Sequence, residues 1–379
     1  ARVDRAARSL FESIDVLGPA KPRLLGAAAF DAGPLGVFTA FDEARFSLPR
    51  VTLAIGQRTE ATVVVPREEL AYVADLADEV AACIERACCD EPPAALRPRG
   101  RVVADGRAGF ERGVDAAVRA IEAGALEKVV LARAVEVETT ASSGGVLADL
   151  AQAAGCARFC VRSRGAAFVG ASPELLVAVS GDAVRTEAVA GTEPRRGHDL
   201  AETARLLART KDLAEHRWVA DMIASELERA GCAVARHETR VRSLAHVHHL
   251  VTPISATRPA GESVLGLAAR LHPTPALGGV PREAALAFIR ASEPVPRGLY
   301  AGALGWVGPA GEGELVVALR SAMIEEGRAF AFAGAGIVRG SVTELEAQET
   351  DAKLVGMLRA LGVAPAPRRP ALHPHEAGA

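Results

Sequence analysis

Three short apolar runs, at 166–169, 175–179 and 183–189, follow one another with gaps of only a few residues. Gaps that short can close hairpins but cannot carry a parallel crossover, which takes a dozen or more residues. This stretch therefore commits the chain to antiparallel sheet. The segment 128–139 (KVVLARAVEVET) is a further strand, rich in β-branched residues, and 315–324 and 329–337 read the same way. Two long helices stand between and after these clusters. One runs from about Asp199, a good N-cap residue, to Ala230, where Gly231 is placed to stop it. The other opens with Thr343-Glu344-Leu345-Glu346, a capping-box pattern, and runs to about Leu361. Clustered strands with helices between them predict an α+β fold rather than alternating βαβ units.

At 379 residues the chain has room for one large domain or about two ordinary ones. Its 49% hydrophobic and 24% charged residues exclude a disordered chain, whose burial could not offset the entropy of ordering. With 44 basic against 47 acidic residues the formal charge is −3, which argues against a protein that grips nucleic acid by its phosphates. Aromatics supply only 4%, so the core must be built from Ala, Val and Leu. No apolar run approaches the ~20 residues of a membrane span, and Ala1-Arg2-Val3-Asp4-Arg5 lacks the apolar run of a signal peptide. Cys83, Cys88, Cys89, Cys156, Cys160 and Cys232 fit neither a zinc spacing nor a disulfide framework. The expectation is a cytoplasmic protein with reduced thiols and no membrane or nucleic-acid partner. Asp90-Glu91-Pro92-Pro93, after a helical stretch from Arg67 to Cys89, is a weak composition break. The Pro/Ala/His-rich tail 364–379 is expected to be disordered.

Several residues sit oddly on the elements that carry them. Glu346, Glu349 and Lys353 share one face of the last helix, at a spacing that also suits a solvated salt-bridge stripe. Glu215 sits mid-helix with Lys211, Trp218 and Met222 as neighbours, which fits a core edge and a functional carboxylate equally well. In the strand 314–324, alternation puts Val316, Ala318, Arg320 and Ala322 on one face and Leu315, Val317, Leu319 and Met323 on the other. Arg320 is then a cation in a strand buried on both sides. It needs an anion, either an internal carboxylate or one brought by a ligand. Lys128, aligned with Val130 and Ala132, poses the same question. The run Gly334-Ala335-Gly336-Ile337-Val338-Arg339-Gly340 imitates a dinucleotide fingerprint but has Arg339 where the third glycine belongs, so no such site is predicted. Its glycines still let backbone N–H groups approach an anion. His246, His248 and His249 cannot all point at one ion from one strand and read as separate contacts.

Taken together, these segments resemble the chorismate-binding enzyme family. The motifs, in order, are LEKVVLAR around Lys128, GASPELL from Gly170 to Leu176 and EAVAGT from Glu187 to Thr192. KDLAEH around Glu215, HHLVTP from His248 and HPTPALGG from His272 to Gly279 follow. VVALRSA around Arg320, AGAGIV from Ala333 and ELEAQETDAKL from Glu344 complete the set. Each is weak alone, but the ordered set is specific. It runs from about Gly109 to Leu361, and residues 1–95 carry little of it. The resemblance implies one large α+β domain over 1–363, of the aminodeoxychorismate-synthase type. In that fold two extensive antiparallel sheets are flanked by helices, with the active site between subdomains.

The resemblance also implies roles. Lys128 would be the general base that deprotonates water. Glu174 would be the general acid that protonates a leaving hydroxyl, which requires a raised carboxyl pKa. Mg²⁺ would be held by Glu215 and Glu349, with Glu346 direct or through water, oxygen donors that suit a small hard cation. Arg320 and Tyr300 would grip the side-chain carboxylate of chorismate, helped by Lys353 and by backbone N–H groups around Gly334, Ala335 and Gly336. Gly191, Thr192, His249, Ala276 and Leu277 would also contact the substrate. Anthranilate synthases that use ammonia resemble this chain except that they lack the lysine at Lys128. The Ala276-Leu277 pair resembles isochorismate synthases rather than salicylate synthases, which carry a Thr near Leu277. The expected protein is a monomeric, Mg²⁺-dependent isochorismate synthase. The alternatives are a salicylate synthase that expels pyruvate and a non-catalytic chorismate-binding subunit.

Overall fold

The strand Lys128–Thr139 forms where its β-branched run predicts it and is buried along nearly its whole length, as suits a strand covered on both faces. It pairs antiparallel with Arg328–Val338, from Val338 opposite Lys128 to Arg328 opposite Glu138. The computed structural model describes residues 2–16, 21–55, 59–89, 97–152, 155–195, 197–244 and 247–364. Within them these two strands form the middle of a seven-stranded sheet. Its order is Gly279–Val280, Lys128–Thr139, Arg328–Val338, Ser321–Glu325, Ala166–Ser172 and Ala157–Ser163, with Gly100–Ala104 also paired to Lys128–Thr139. A nine-stranded sheet runs Ala233–Arg236, Val247–Thr257, Ala183–Pro194, Leu175–Ser180, Gly313–Val317, Ala303–Val307, Leu24–Ala28 and Ala44–Ser47. Its ninth strand, Arg240–Ser243, pairs with Val247–Thr257. All pairings between these strands are antiparallel. Of the two short gaps, 181–182 closes a hairpin, whereas 173–174 leads from one sheet to the other. The α+β expectation, with two extensive antiparallel sheets, holds. Leu24–Ala28 and Ala44–Ser47 make the N-terminal residues one edge of the larger sheet.

The chain steps directly from sheet to sheet at two places that lie side by side. Pro173-Glu174 joins Ala166–Ser172 of the smaller sheet to Leu175–Ser180 of the larger. Ala318-Leu319-Arg320 joins Gly313–Val317 of the larger sheet to Ser321–Glu325 of the smaller. The Val317 N–H donates to the Glu174 carbonyl (3.1 Å) and the Ala171 N–H to the Arg320 carbonyl (3.2 Å), which ties the two steps together. The single strand expected over 315–324 is thus two strands in two sheets. One straight strand can serve only one layer, so the chain turns at Arg320. That residue has φ of +49°, a conformation that non-glycine residues adopt only when their surroundings enforce it.

The expected helix from Asp199 likewise divides, into Asp199–Ala208 and Thr210–Arg229. Arg209 between them is extended (φ −77°, ψ 103°), and its guanidinium reaches Glu193 at 2.7 Å. Asp199 is the first helical residue and not the cap, because Arg195 holds both of its carboxylate oxygens. The capping box at 343–346 does not form either. Thr343–Ala360 starts after Val342 without a side-chain cap, and the Thr343 hydroxyl donates to Asp115 instead. At Thr343 a tertiary partner displaces the local one, and at Asp199 the competitor is Arg195, four residues upstream.

The core draws on Ala, Val and Leu, as the composition requires. One aromatic stack stands out, with Tyr300 over Phe332 at 5.1 Å and Phe332 over Phe38 at 5.6 Å. Among the described residues Cys83, Cys156, Cys160 and Cys232 are free thiols, and no helix is long and apolar enough to cross a membrane. Residues 90–93, His246 and the tail beyond Ala364 lie outside the described residues.

Candidate active site

Side chains two apart on a strand share a face, and here that rule builds the floor of a cavity. Lys128, Val130 and Ala132 line it from one strand, and their register partners Val338, Gly336 and Gly334 line it from the next. The two glycines keep the floor low. A Cβ on Gly334 would stand 2.8 Å from the Leu131 carbonyl and 3.4 Å from the Tyr300 hydroxyl. Gly279 is needed for a different reason. Its φ is +151°, and a Cβ there would meet the Lys128 carbonyl at 2.2 Å, so only glycine lets the strand Gly279–Val280 close against the Lys128 backbone.

The two sheet-to-sheet steps supply the walls. Glu174 lines the cavity from one and Leu319 and Arg320 from the other. Glu174 is 7% exposed, and burial pushes its carboxyl up to about 8. The charge of Glu187 pushes the same way, while Lys353, Lys128 and Arg242 pull against it. The carboxyl is therefore mostly protonated at neutral pH, which is the state a general acid needs. Lys128, only 2% exposed, shares the cavity with it.

Opposite stands an anion-seeking group. Ala190 pairs with Leu250 and Thr192 with His249, which leaves Gly191 as the bulged residue at φ +77°. The bulge brings Thr192 Oγ1 to 3.2 Å from His249 Nδ1. On its other side His249 Nε2 lies 3.3 Å from Arg320 Nη2. A guanidinium only donates, so Nε2 accepts and the proton of the ring sits on Nδ1, facing Thr192. The ring is neutral, since burial and then Arg320 and Lys353 hold His249 well below the usual histidine range. Burial also lowers the pKa of Arg320, against the opposing pull of Cys156, Tyr300 and Glu349. Among the described residues no carboxylate forms an ion pair with Arg320; the one hydrogen-bond partner of its guanidinium there is a neutral imidazole. Tyr300, raised to about 12 chiefly by burial, keeps its phenolic proton and can only donate to an anion.

The last helix closes the cavity with Glu346, Glu349 and Lys353, so the stripe is not a solvated face. Lys353 donates to the Gly334 carbonyl at 2.8 Å and to Glu349 Oε1 at 2.6 Å. Of the substrate contacts expected from sequence, Lys128, Glu174, Gly191, Thr192, His249, Ala276, Leu277, Tyr300, Arg320, Gly334, Gly336 and Lys353 all line this one cavity. Ala335 does not. Its side chain points to the opposite face of the strand and packs in the core at 1% exposure. Gly334 also turns its carbonyl, rather than its N–H, to Lys353. The side chain of Glu215 lies outside the described residues.

Sequence reading missed Arg297. Buried at 4% exposure, it pairs with Glu293 at 2.5 Å and donates to the carbonyls of Leu277 and Val130, each at 2.7 Å. Glu293 in turn accepts the Ala132 N–H at 2.8 Å. The pair thus fastens the loop of Ala276 and Leu277 to the floor strand. A Glu and an Arg four apart around Pro294 and Pro296 was the available signal, since no regular helix could account for that spacing.

Among the described residues, one group brings three metal-type ligand atoms within 4.8 Å of one another, and it is not the predicted set. It is Asp199, Glu202 and His248. Arg195 occupies both oxygens of Asp199, and Ser243 sits 2.8 Å from His248 Nδ1, so the group is a hydrogen-bonded network that includes the Arg195–Asp199 ion pair. His248 and His249 point to opposite sides of their strand, as separate contacts should. Within the cavity, Glu346 and Glu349 offer carboxylate oxygens one helical turn apart, a donor set that fits a hard divalent cation.

The sequence profile described as chorismate binding enzyme matches residues 2–362. The chain is 36% identical, over 95% of its length and 79% of the other's, to the salicylate biosynthesis isochorismate synthase of Pseudomonas aeruginosa. It is 37% identical, over 67% of its length and 68% of the other's, to isochorismate synthase DhbC of Bacillus subtilis. Among solved structures it matches MenF, the menaquinone-specific isochorismate synthase of Escherichia coli, with a TM-score of 0.80 at 30% identity, covering 95% of this chain and 82% of that one.

Proposed function

The chain belongs to the chorismate-binding enzyme family, and from that premise we propose that it is an isochorismate synthase. The observation that carries the reading is one cavity holding a buried lysine, a carboxyl that keeps its proton at neutral pH, and a half-buried guanidinium with no carboxylate partner among the described residues. Chorismate is a dianion. Arg320, with the Tyr300 hydroxyl, is matched to the carboxylate of its side chain, and neutral His249 holds the guanidinium without cancelling its charge. Mg²⁺, held by Glu346 and Glu349 with Glu215, would supply positive charge for the ring carboxylate. Lys128 takes a proton from the water whose oxygen bonds to C2. The ring double bonds shift, and the C4–oxygen bond breaks as Glu174 delivers its proton to the departing hydroxyl. The ring gains one hydroxyl and loses one, so the reaction balances and runs in both directions.

Leu277 is 3% exposed and, with Ala276, gives the cavity wall apolar atoms and no group to accept a proton from C2. Incubation with chorismate and Mg²⁺ near pH 8 is therefore expected to give a reversible mixture of chorismate and isochorismate. Salicylate fluorescence and pyruvate should stay at the uncatalysed background. Stoichiometric salicylate and pyruvate at the enzymatic rate would instead mark a salicylate synthase.

The metal reading has its own test. Glu349→Gln removes one negative donor and loosens Lys353, so turnover should fall at least a hundredfold and excess Mg²⁺ should not restore it. The shift in melting temperature that Mg²⁺ and chorismate together give the parent protein should also disappear. Full activity of that variant, or of the parent in EDTA, contradicts the assignment.

A further inference from the structure

Behind Glu174 lies an ion pair that the proposed reaction does not use. Arg242, on the strand Arg240–Ser243, forks onto Glu187 of the strand Ala183–Pro194, with Nη1 2.7 Å from Oε1 and Nη2 2.5 Å from Oε2. The same Nη1 donates to the Pro173 carbonyl at 2.8 Å, and Glu187 Oε1 accepts the Leu175 N–H at 3.3 Å. The pair thus holds the chain on both sides of Glu174, at the step where it passes from one sheet to the other. Neither residue lines the cavity. A bidentate pair that is half-buried is a costly fastener for a turn, because desolvation offsets part of its attraction.

We propose that Glu187 and Arg242 are positioning residues for the acid, fixing where the Glu174 carboxyl points and balancing the charge around it. This rests on Glu174 being the acid. The charged groups that act on its carboxyl are Glu187, which favours the protonated form, and Lys353, Lys128 and Arg242, which favour the carboxylate. Ser172 Oγ accepts its backbone N–H. Removing one member of the pair leaves the other uncompensated, so the two single variants should act in opposite directions.

The test is the pH dependence of kcat/KM for chorismate, measured on folded protein checked by its thermal transition. In Glu187→Gln the alkaline limb should move about one pH unit down, and in Arg242→Gln about one unit up. Arg242→Lys should leave the limb in place and lower kcat about tenfold, since lysine keeps the charge but cannot hold Glu187 and Pro173 in one fork. Limbs that coincide in all variants, or move in the same direction in both glutamine variants, overturn the role and leave the pair a structural clamp. A parent profile with no alkaline limb and an active Glu174→Gln removes the acid itself, and this role with it.

Discussion

Lys128→Met should bind chorismate and make no isochorismate. The substitution keeps an unbranched chain of similar length in a site where the lysine is 2% exposed, and it leaves Arg320, His249 and the carboxylates of the last helix in place. It removes the atom assigned to take the proton from water, together with the pull of Lys128 on the Glu174 carboxyl. General bases contribute roughly 10²–10⁴ in rate, so kcat should fall by at least that much while binding, read by quenching or calorimetry, stays within a few-fold. Turnover within about tenfold of the parent, ~1.4 kcal/mol of barrier, would make Lys128 structural. Methionine fills a similar volume with an unbranched chain, so the variant should fold.

Glu174→Gln should be nearly as damaging, and its pH behaviour makes it the more informative variant. Glutamine keeps the shape and can donate a hydrogen bond, but it has no proton to give, so kcat should drop roughly 10²–10⁴-fold. In the parent, once the base is deprotonated, kcat/KM should decline with loss of the Glu174 proton, whose carboxyl burial pushes up to about 8. The residual rate of the variant should lack that limb. Stability should change in the opposite sense. A carboxyl whose pKa rises on folding binds its proton more tightly in the folded state, so the parent loses stability as pH rises from the ordinary carboxyl range to about 8. Glu174→Gln has no such loss and should melt above the parent at pH 9, with the gap closing towards pH 5. A dead variant that also melts lower at every pH would point to a packing role.

Much of this was legible in the residues. The short gap between 179 and 183 closes an antiparallel hairpin, though the one before 175 proves to be a step between sheets, and the strand at 128–139 lies where its β-branched run begins and ends. Alternation along that strand correctly put Lys128, Val130 and Ala132 on one face. Helical spacing did the same for Glu346, Glu349 and Lys353. Spacing alone could not say whether that face met water or a cavity, because a salt-bridge stripe and a ligand site share one periodicity. The order of the motifs, and no single residue, carried the family.

The sequence by itself determined which residues share a face, since local geometry repeats every two residues in a strand and every 3.6 in a helix. It also determined the class of fold and the family. The tertiary structure decided where the strands change sheets. Apolar alternation through 315–324 continues past a turn that exists only because two layers must both be fed, so Arg320 read as a buried strand residue when it stands on the step between sheets. The distant partners were decided there too: Asp115 for Thr343, Glu187 for Arg242, and the carbonyls of Leu277 and Val130 for Arg297. Hydrogen bonds and charges act over a few ångströms of space, whatever the separation along the chain. Glu174 and Arg320 lie 146 positions apart, and only the folding of two sheets against each other makes them walls of one cavity.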